Sequence, residues 1–246
     1  MRVPSASELM HVWERGLTQP PIERALAILQ FACPDMSRDD IAALSIGERD
    51  SRLLTLRRWL FGEKITSASS CPHCQQLMEW TTDVSQLQVQ PDPDAVTQRN
   101  HHFSHQDYRI EFRLPNTLDM FAIEQARDVD SARQTLLKRC VHTTERKGKT
   151  LSLSRIPQSI IQKVLKKMEQ CDPQADLRVE LLCANCQHKW ETAFDIISFL
   201  WSEIQNWAKQ TLRSVHLLAR AYGWREQDIL AMSPLRRQLY IEMAGY

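Results

Sequence analysis

Two short stretches decide the fold: CPHC at residues 71–74 and CANC at residues 183–186. Each is a Cys-x-x-Cys knuckle, a tight turn that directs two sulfur atoms towards one point. Two knuckles together supply four thiolates, which is the ligand set of a closed, tetrahedral, structural zinc site. The sequence therefore predicts one structural Zn²⁺ with four ligands: Cys71, Cys74, Cys183 and Cys186.

The sequence around the knuckles is typical of a zinc ribbon. A polar stretch and then an aromatic-bearing strand follow each knuckle, with Trp80 and Trp190 at nearly matching positions. The gap at residues 75–182 is much longer than the roughly 15 to 20 residues of a simple ribbon. We therefore expect the metal to close a long loop and to fix an inserted unit on the rest of the fold. The alternative interpretations are unliganded thiols and a redox dithiol, which usually occurs once and beside a βαβ pattern.

The composition argues against several classes of protein. The net charge of +1 over 246 residues gives no strong field to drive the chain onto nucleic acid or an anionic membrane. No run of 18 apolar residues occurs, and the N-terminus has no apolar segment, so we expect neither a membrane span nor a secretion signal. Seven cysteines without an export signal indicate a reducing cytosol, with thiolates reserved for metal.

Hydrophobic periodicity predicts an α+β protein, mostly α-helical, built around a split four-cysteine zinc ribbon with an inserted α/β subdomain. Capping boxes that begin at Ser5 and Ser45 indicate helix starts in the first part of the chain. A strictly alternating strand near residues 108–114 and a proline-containing loop at 91–94 lie in the insertion. The predicted segments are an N-terminal helical module at 1–62, the two ribbon halves at 63–82 and 177–194, an inserted strand-plus-helix subdomain at 83–176, and a C-terminal helical segment at 195–246.

Motifs that carry catalysis are missing from the sequence, including the common phosphate-binding and nucleophile motifs. The histidines at 101, 102 and 105 have the spacing of possible metal ligands, but Asp107 is the one neighbouring carboxylate, and we expect no site there. A zinc ion held by four thiolates has no open position and does not activate water. The predicted metal therefore indicates structure rather than catalysis.

Three functional classes follow from these observations. The first is a structural or assembly protein whose apolar helical ends dock on partners, and the second is a zinc-ribbon nucleic-acid-binding or regulatory protein. The third is an enzyme with an unrecognised site, for which no acid, base and nucleophile stand out. A nucleic-acid binder needs clustered positive charge, whereas the basic pairs at 57–58, 166–167 and 236–237 are on separate predicted helices. We favour the first class and keep the second as the alternative.

Several stretches together resemble a known family. They are WERG at 13–16, GERD at 47–50, LFG at 60–62, DPQAD at 172–176, FLWSEI at 199–204, VHLLARAYGW at 215–224, DIL at 228–230 and SPLRR at 233–237. This set resembles baseplate proteins of contractile phage tails and related contractile injection systems, a family related to the baseplate hub assembly proteins of T-even-type phages. The similarity covers most of the chain and is weakest at residues 83–107.

The resemblance implies a non-enzymatic structural or assembly component of a baseplate. The expected partners are other baseplate or tail subunits, of the hub or the wedge, with no small-molecule substrate and no nucleic acid. The expected location is the bacterial cytoplasm during assembly, and the baseplate of the virion or injection particle if the protein is retained.

The C-terminal segment at 195–246 is rich in aromatic residues and arginine. Tryptophan, tyrosine and arginine are the residues that most often anchor interfaces. We therefore expect this segment to dock other baseplate subunits. Trp201 is about 100° from the apolar Leu200 on a helical wheel, so it is a candidate to face a partner. The candidate partner-binding residues are Trp201, Trp224 and Arg236.

Overall fold

The computed structural model describes residues 1–89 and 100–245, so the predicted loop at 91–94 and the terminal Tyr246 lie outside the described residues. The described chain mixes helices with antiparallel strands, which confirms the predicted α+β class. It forms two compact units. Unit 1 contains Met1–Arg38, Trp59–Gly62 and Asp195–Tyr246, and unit 2 contains Asp39–Arg58 and Glu63–Phe194. The finer division into a module, two ribbon halves, an insertion and a C-terminal segment stays a prediction.

The described residues begin with four helices, continue with strands and helices in turn, and end with three helices. In order they are α1 (Ala6–Gly16), α2 (Pro21–Ala32), α3 (Arg38–Ala43), α4 (Ile46–Phe61), β1 (Lys64–Ser70), β2 (Leu77–Asp83), α5 (Val84–Leu87), β3 (His101–His105), β4 (Tyr108–Phe112), α6 (Thr117–Ile123), α7 (Val129–Cys140), β5 (Val141–Arg146), β6 (Lys149–Thr150), α8 (Gln158–Cys171), β7 (Arg178–Leu182), β8 (Lys189–Ala193), α9 (Ile196–Tyr222), α10 (Glu226–Ala231) and α11 (Pro234–Met243).

Unit 1 is a helical bundle around α9, which contacts α1, α2, α10 and α11. Asp195 caps the start of helix α9, since its Oδ1 accepts a hydrogen bond from the backbone N–H of Ile197 at 2.9 Å. Gly223 caps the end of this helix with a φ of +69°, which suits a glycine. The predicted capping box at the start of α1 is present, because Ser5 Oγ accepts from the Glu8 N–H and Glu8 Oε2 accepts from the Ser5 N–H.

The described residues of unit 2 form three antiparallel sheets. Two of them are two-stranded, β1–β2 and β7–β8, and the third has the order β3-β4-β5-β6. In the four-stranded sheet, the inward residues of β4 alternate with outward ones, as predicted for this strand. These inward residues form a core with α7 and α8 that contains Tyr108, Ile110, Phe112, Leu137, Cys140, Ile156, Ile160, Ile161, Val164 and Met168.

A long-range cap fixes the start of α4 within unit 2. The backbone N–H of Gly47 donates to Asp172 Oδ2 at 3.0 Å, although the two residues are 125 positions apart. A Cβ at residue 47 would lie 1.9 Å from Asp172 Oδ1, so only glycine fits there. Burial raises the pKa of Asp172, while the hydrogen bonds from Gly47 and Ser45 oppose that rise. This contact joins the helix before the first knuckle to the segment before the second.

Candidate metal centre

Both cysteine knuckles have the same backbone geometry. The first connects β1 to β2, and the second connects β7 to β8. The backbone N–H of Gln75 donates to the carbonyl of Cys71 at 2.8 Å, and that of Gln187 donates to Cys183 at 2.9 Å. The two glutamines have φ of +60° and +59°, a left-handed conformation that is uncommon outside glycine. A repeated unfavourable conformation at one position indicates that each turn is held in the shape that directs its sulfurs.

The four cysteine sulfurs lie together at the ends of the two hairpins. Cys71 Sγ is 3.7 Å from Cys186 Sγ, although these residues are 115 positions apart, and Cys74 Sγ is 3.5 Å from Cys183 Sγ. All four sulfurs lie within 4.8 Å of one another. Sulfurs placed about 2.3 Å from one ion at tetrahedral angles are about 3.8 Å apart, so the cluster fits such an ion. A disulfide requires about 2.05 Å, and the four cysteines are free.

Two of the cysteine thiols have pKa values that are shifted in opposite directions. A hydrogen bond from the backbone of Gln76 lowers the pKa of Cys74 to about 6, and the side-chain amide of Asn185, 3.7 Å from the sulfur, adds to this effect. At Cys186 a backbone hydrogen bond from His188 lowers the pKa, but burial and the neighbouring cysteines outweigh it and raise the pKa to about 12. Four thiolates this close repel one another, so complete deprotonation of the cluster needs a bound cation.

Aromatic rings pack against one another on the hairpins beside the cysteines. The rings of His73 and His188 stack with centroids 5.6 Å apart, and His188 stacks on Trp190 at 6.2 Å. On the first hairpin, Trp80 meets Phe194 edge-on at 6.2 Å, and its Nε1–H donates to a serine hydroxyl of β1 at 3.2 Å. Trp80 and Trp190, the two tryptophans at nearly matching positions after the knuckles, therefore both pack on the hairpins.

The histidines at 101, 102 and 105 do not form a metal group. Within residues 1–89 and 100–245, the four cysteines are the one set of histidine, cysteine or carboxylate ligands that converges on a point. His101 stacks on Phe112 with centroids 5.5 Å apart, and His105 Nε2 lies 2.6 Å from Lys163 Nζ. These side chains belong to β3 and to its contact with α8.

A buried carboxylate network in unit 2 was not predicted from the sequence. The side chain of Asp119 is fully buried and pairs with Arg113 at 2.5 Å and with Arg139 at 2.6 Å. Burial alone would raise the pKa of Asp119, but hydrogen bonds from Arg113, from the backbone of Asn116 and from Arg139 lower it to about 2. The spacing of Asn116 and Asp119 at a helix start was the one local signal, because it is that of a capping box.

Comparison with known protein families identifies the family of this chain. Residues 17–201 match the family model described as T4 bacteriophage base plate protein. The match covers more than half of the chain. The chain belongs to this family.

Membership of the T4 baseplate family confirms the resemblance seen in the sequence and supports a structural component of a phage baseplate. It also indicates that other baseplate subunits are the partners. No curated protein and no solved structure matches the chain. None of the helices in the described part of this baseplate protein combines the length and apolar character that a membrane crossing requires.

The three candidate docking residues of this baseplate protein lie in different environments. Trp201 is 7% exposed and packs inside unit 1, where the Arg24 guanidinium lies 4.5 Å from its ring centroid. Trp224 is half-buried and stacks on Tyr222 at 4.5 Å. Arg236 is exposed, and its guanidinium lies 5.6 Å from the Tyr240 ring centroid. The partner contacts of these residues stay a prediction, and the burial of Trp201 leaves Trp224 and Arg236 as the accessible pair.

Proposed function

We propose that this chain is a non-enzymatic structural component of the baseplate of a contractile phage tail or a related injection system. One structural Zn²⁺ holds unit 2 together, and the helical segment at 195–246 docks other baseplate subunits. The observation that carries the proposal is the convergence of four cysteines in a chain of the baseplate family. We further propose that the protein acts in the bacterial cytoplasm during assembly and in the particle baseplate where it is retained.

The proposed zinc would be held by Cys71 and Cys74 from one hairpin and by Cys183 and Cys186 from the other. Supporting this, the sulfur spacing suits a tetrahedral ion, and two-stranded hairpins of this length are marginal without further packing. Four tetrahedral sulfurs suit zinc or iron. Zinc is the better candidate for a purely structural role, because it has no redox chemistry and needs no open coordination position.

Elemental analysis of the purified chain tests the metal. We expect about one zinc per chain and no visible iron–thiolate absorption. We expect Cys71→Ser to lower the zinc content severalfold, because the site loses one of four ligands. The matched control Cys171→Ser removes a cysteine of the same unit outside the cluster and should keep full zinc. Iron in place of zinc, or native thiols that alkylate freely with no bound metal, would contradict the proposal.

The proposed docking surface includes an exposed apolar face on α11. Its large side chains are four residues apart and therefore share one face of the helix. They are Leu235 at 71% exposure, Leu239 at 46% and Met243 at 73%. Beside them, Trp224 meets Tyr240 edge-on at 4.8 Å, and Tyr240 also lies under Arg236. An exposed apolar face next to aromatic residues and arginine is the composition expected of an interface core.

Substitution of the accessible residues tests the docking surface. We expect Arg236→Ala and Leu235→Ala to leave the chain folded and zinc-loaded but to weaken its incorporation into baseplates about thirtyfold, the scale of an interface hot spot. Arg133→Ala, an exposed arginine of unit 2, is the matched control and should assemble normally. Incorporation is measured by counting baseplates in electron micrographs of particles made with each variant. Normal assembly of both test variants would remove this face from the proposal.

The segment at 83–176 is proposed to be an inserted subdomain of the ribbon. Its described residues contain a core of their own, formed between the four-stranded sheet and helices α7 and α8. Limited proteolysis of the zinc-loaded protein should therefore leave residues 101–171 protected. Rapid digestion of this stretch into small peptides would oppose the proposal.

A further inference from the structure

Strand β3 lies at one edge of the four-stranded sheet. The order β3-β4-β5-β6 leaves one side of β3 without a paired strand among the described residues. In an antiparallel sheet, every second residue of an edge strand directs its backbone N–H and C=O away from its partner. Such a row of backbone groups is a template for an added strand.

The subdomain that contains β3 is basic, although the whole chain is nearly neutral. Residues 100–171 contain 13 lysines and arginines and 8 aspartates and glutamates, a balance of +5, whereas the complete chain has +1. Helix α8, which contacts β3, contributes three lysines and one glutamate. A segment added at this edge would therefore meet an excess of positive charge.

Several of these cations lack an anionic partner. The ammonium of Lys163 contacts the His105 ring, with 2.6 Å between Nζ and Nε2, instead of a carboxylate. Lys163 and Lys167 are four residues apart on α8, so they share one face of the helix. No salt bridge joins Lys163, Lys166 or Lys167 to a carboxylate in the described part of the chain.

A buried polar atom at the same edge also lacks a partner. His101 is 5% exposed, and its Nε2 has no hydrogen-bond partner among the described residues. Burial lowers the pKa of His101, and the nearby charge of Lys167 lowers it further. An imidazole nitrogen without a hydrogen-bond partner is a group that an added polypeptide segment can satisfy.

We propose that the free edge of β3 binds an extended acidic segment of a neighbouring protein chain. The backbone of that segment pairs with β3, and its carboxylates reach Lys163 and Lys167 above the edge. The identification of the neighbour as a baseplate subunit rests on the proposed function, whereas the acidic, extended character of the segment rests on β3 and α8.

The charges that attract an acidic strand also exclude a second copy of this edge. Edge-to-edge pairing of two β3 strands would bring both sets of lysines together, and like charges in an interface are costly. Nucleic acid is disfavoured because a sheet edge offers backbone groups spaced for another strand rather than aromatic rings for stacked bases. The open edge together with the unpaired cations therefore selects acidic polypeptide.

Zero-length cross-linking in assembled baseplates tests the contact directly. A water-soluble carbodiimide joins a lysine amine to a carboxylate that touches it, and mass spectrometry identifies both residues. We expect Lys163 and Lys167 to join aspartate or glutamate of a different chain in particles, and to show no such product in the isolated protein. Products confined to this chain would overturn the proposal.

Charge reversal supplies the second readout. We expect Lys163→Glu with Lys167→Glu to fold and bind zinc as the wild type does, but to enter baseplates about tenfold less efficiently, because attraction becomes repulsion. Lys149→Glu with Lys166→Glu reverses the same charge at exposed positions of this subdomain and is the matched control. Lys163→Arg with Lys167→Arg should restore incorporation. Equal incorporation of the test pair and the control pair would overturn the proposal.

Peptide binding to the purified protein tests this inference independently of the proposed function. Fluorescence anisotropy of the zinc-loaded full chain is measured with a labelled hexapeptide of alternating Glu and Val, its Lys and Val counterpart, and a ten-nucleotide thymidine strand. We expect detectable binding of the acidic peptide alone, lost in the test pair. Preference for the thymidine strand or the basic peptide would overturn the inference. Absence of the wild-type protein from particles, with acidic-peptide binding intact, would contradict only the proposed function.

Discussion

Units 1 and 2 are stabilised in different ways. Unit 1 packs apolar side chains around the 27-residue helix α9, and its fully buried side chains include Leu26, Ile28, Leu29, Ile196, Leu200 and Ile204. Unit 2 contains two short hairpins, a four-stranded sheet and polar links between residues distant in sequence. The four-cysteine cluster and the buried Asp119 both belong to unit 2.

This difference indicates which kinds of substitution should destabilise each unit most. A helical core distributes its free energy over many apolar contacts, so a single substitution removes a small part of it. A two-stranded hairpin buries little on its own and depends on a few specific links. We therefore expect the loss of one ligand or one buried charge to affect unit 2 more than a single steric change affects unit 1.

Removal of the proposed zinc should give the largest difference between the units. Structural zinc contributes roughly 10 kcal/mol or more of apparent folding free energy in small zinc modules, so chelation should unfold the ribbon. Hydrogen exchange measured by mass spectrometry should show fast exchange in β1, β2, β7 and β8 and retained protection in α9. Cys171→Ser, treated in the same way, should behave as the wild type. Uniform loss of protection in both units would contradict the separation.

Substitution of the buried carboxylate should have the next largest effect. Asp119→Asn leaves two arginines with one neutral partner, and breaking a buried ion pair costs about 3 to 5 kcal/mol. Chemical denaturation monitored by circular dichroism gives the free energy of unfolding. Asp130→Asn is the matched control, because Asp130 is exposed and lies 4.0 Å from its arginine. A loss of less than about 1 kcal/mol at Asp119 would show that the network is not a main support of unit 2.

The same network predicts an acid sensitivity with a defined sign. The pKa of Asp119 falls from 3.8 to about 2 on folding, so the carboxylate stabilises the folded state above pH 3.8. That contribution is lost as the pH falls towards 2. The free energy of unfolding should therefore decline over this window in the wild type and decline less in Asp119→Asn. Parallel pH profiles of the two proteins would contradict this assignment.

Two glycines permit a steric comparison of the units. A Cβ at Gly16 would lie 2.3 Å from the Trp201 ring in unit 1, and one at Gly47 would lie 1.9 Å from Asp172 in unit 2. We expect Gly16→Ala and Gly47→Ala each to cost about 1 to 3 kcal/mol, reduced by the better helix propensity of alanine. The loss at Gly47 should be larger, because the Asp172 cap is also displaced.

A double-mutant cycle separates the steric clash in unit 1 from other effects. Trp201→Phe shortens the ring, so it should reduce the cost of Gly16→Ala when both changes are present. Thermal unfolding gives the four stabilities. Additive effects would show that the Gly16 position does not depend on its contact with Trp201.

The smallest effect is expected at the surface of unit 1. Glu8 has a pKa of about 2 because of hydrogen bonds from Arg2 and from the backbone of Ser5, which is the same value as that of Asp119. Glu8 is partly exposed, however, and glutamine preserves the capping box. Glu8→Gln should therefore cost no more than about 0.5 kcal/mol, since only a surface ion pair is lost. A cost comparable to that of Asp119→Asn would show that exposure does not separate the two carboxylates.

The sequence by itself determined the four-cysteine cluster, the α+β class and the family. Metal ligands can be recognised from sequence because the residue type and the two-residue spacing within each knuckle are local properties. The capping box at Ser5 was predictable for the same reason, since its hydrogen bonds span three residues. The resemblance to baseplate proteins likewise depended on short stretches of the chain and is confirmed by the family match.

Only the tertiary structure decided which distant residues meet. The helical wheel left Trp201 as a candidate to face a partner. Its ring is buried in unit 1, where α1 and α2 both contact α9 and the missing side chain of Gly16 makes room for it. Of the two arginines that pair with Asp119, Arg113 directly follows β4 and Arg139 belongs to α7. The carboxylate that accepts the Gly47 N–H comes from Asp172, far along the chain. Such contacts join residues whose proximity depends on how whole elements pack, and no local pattern of residue types encodes that packing.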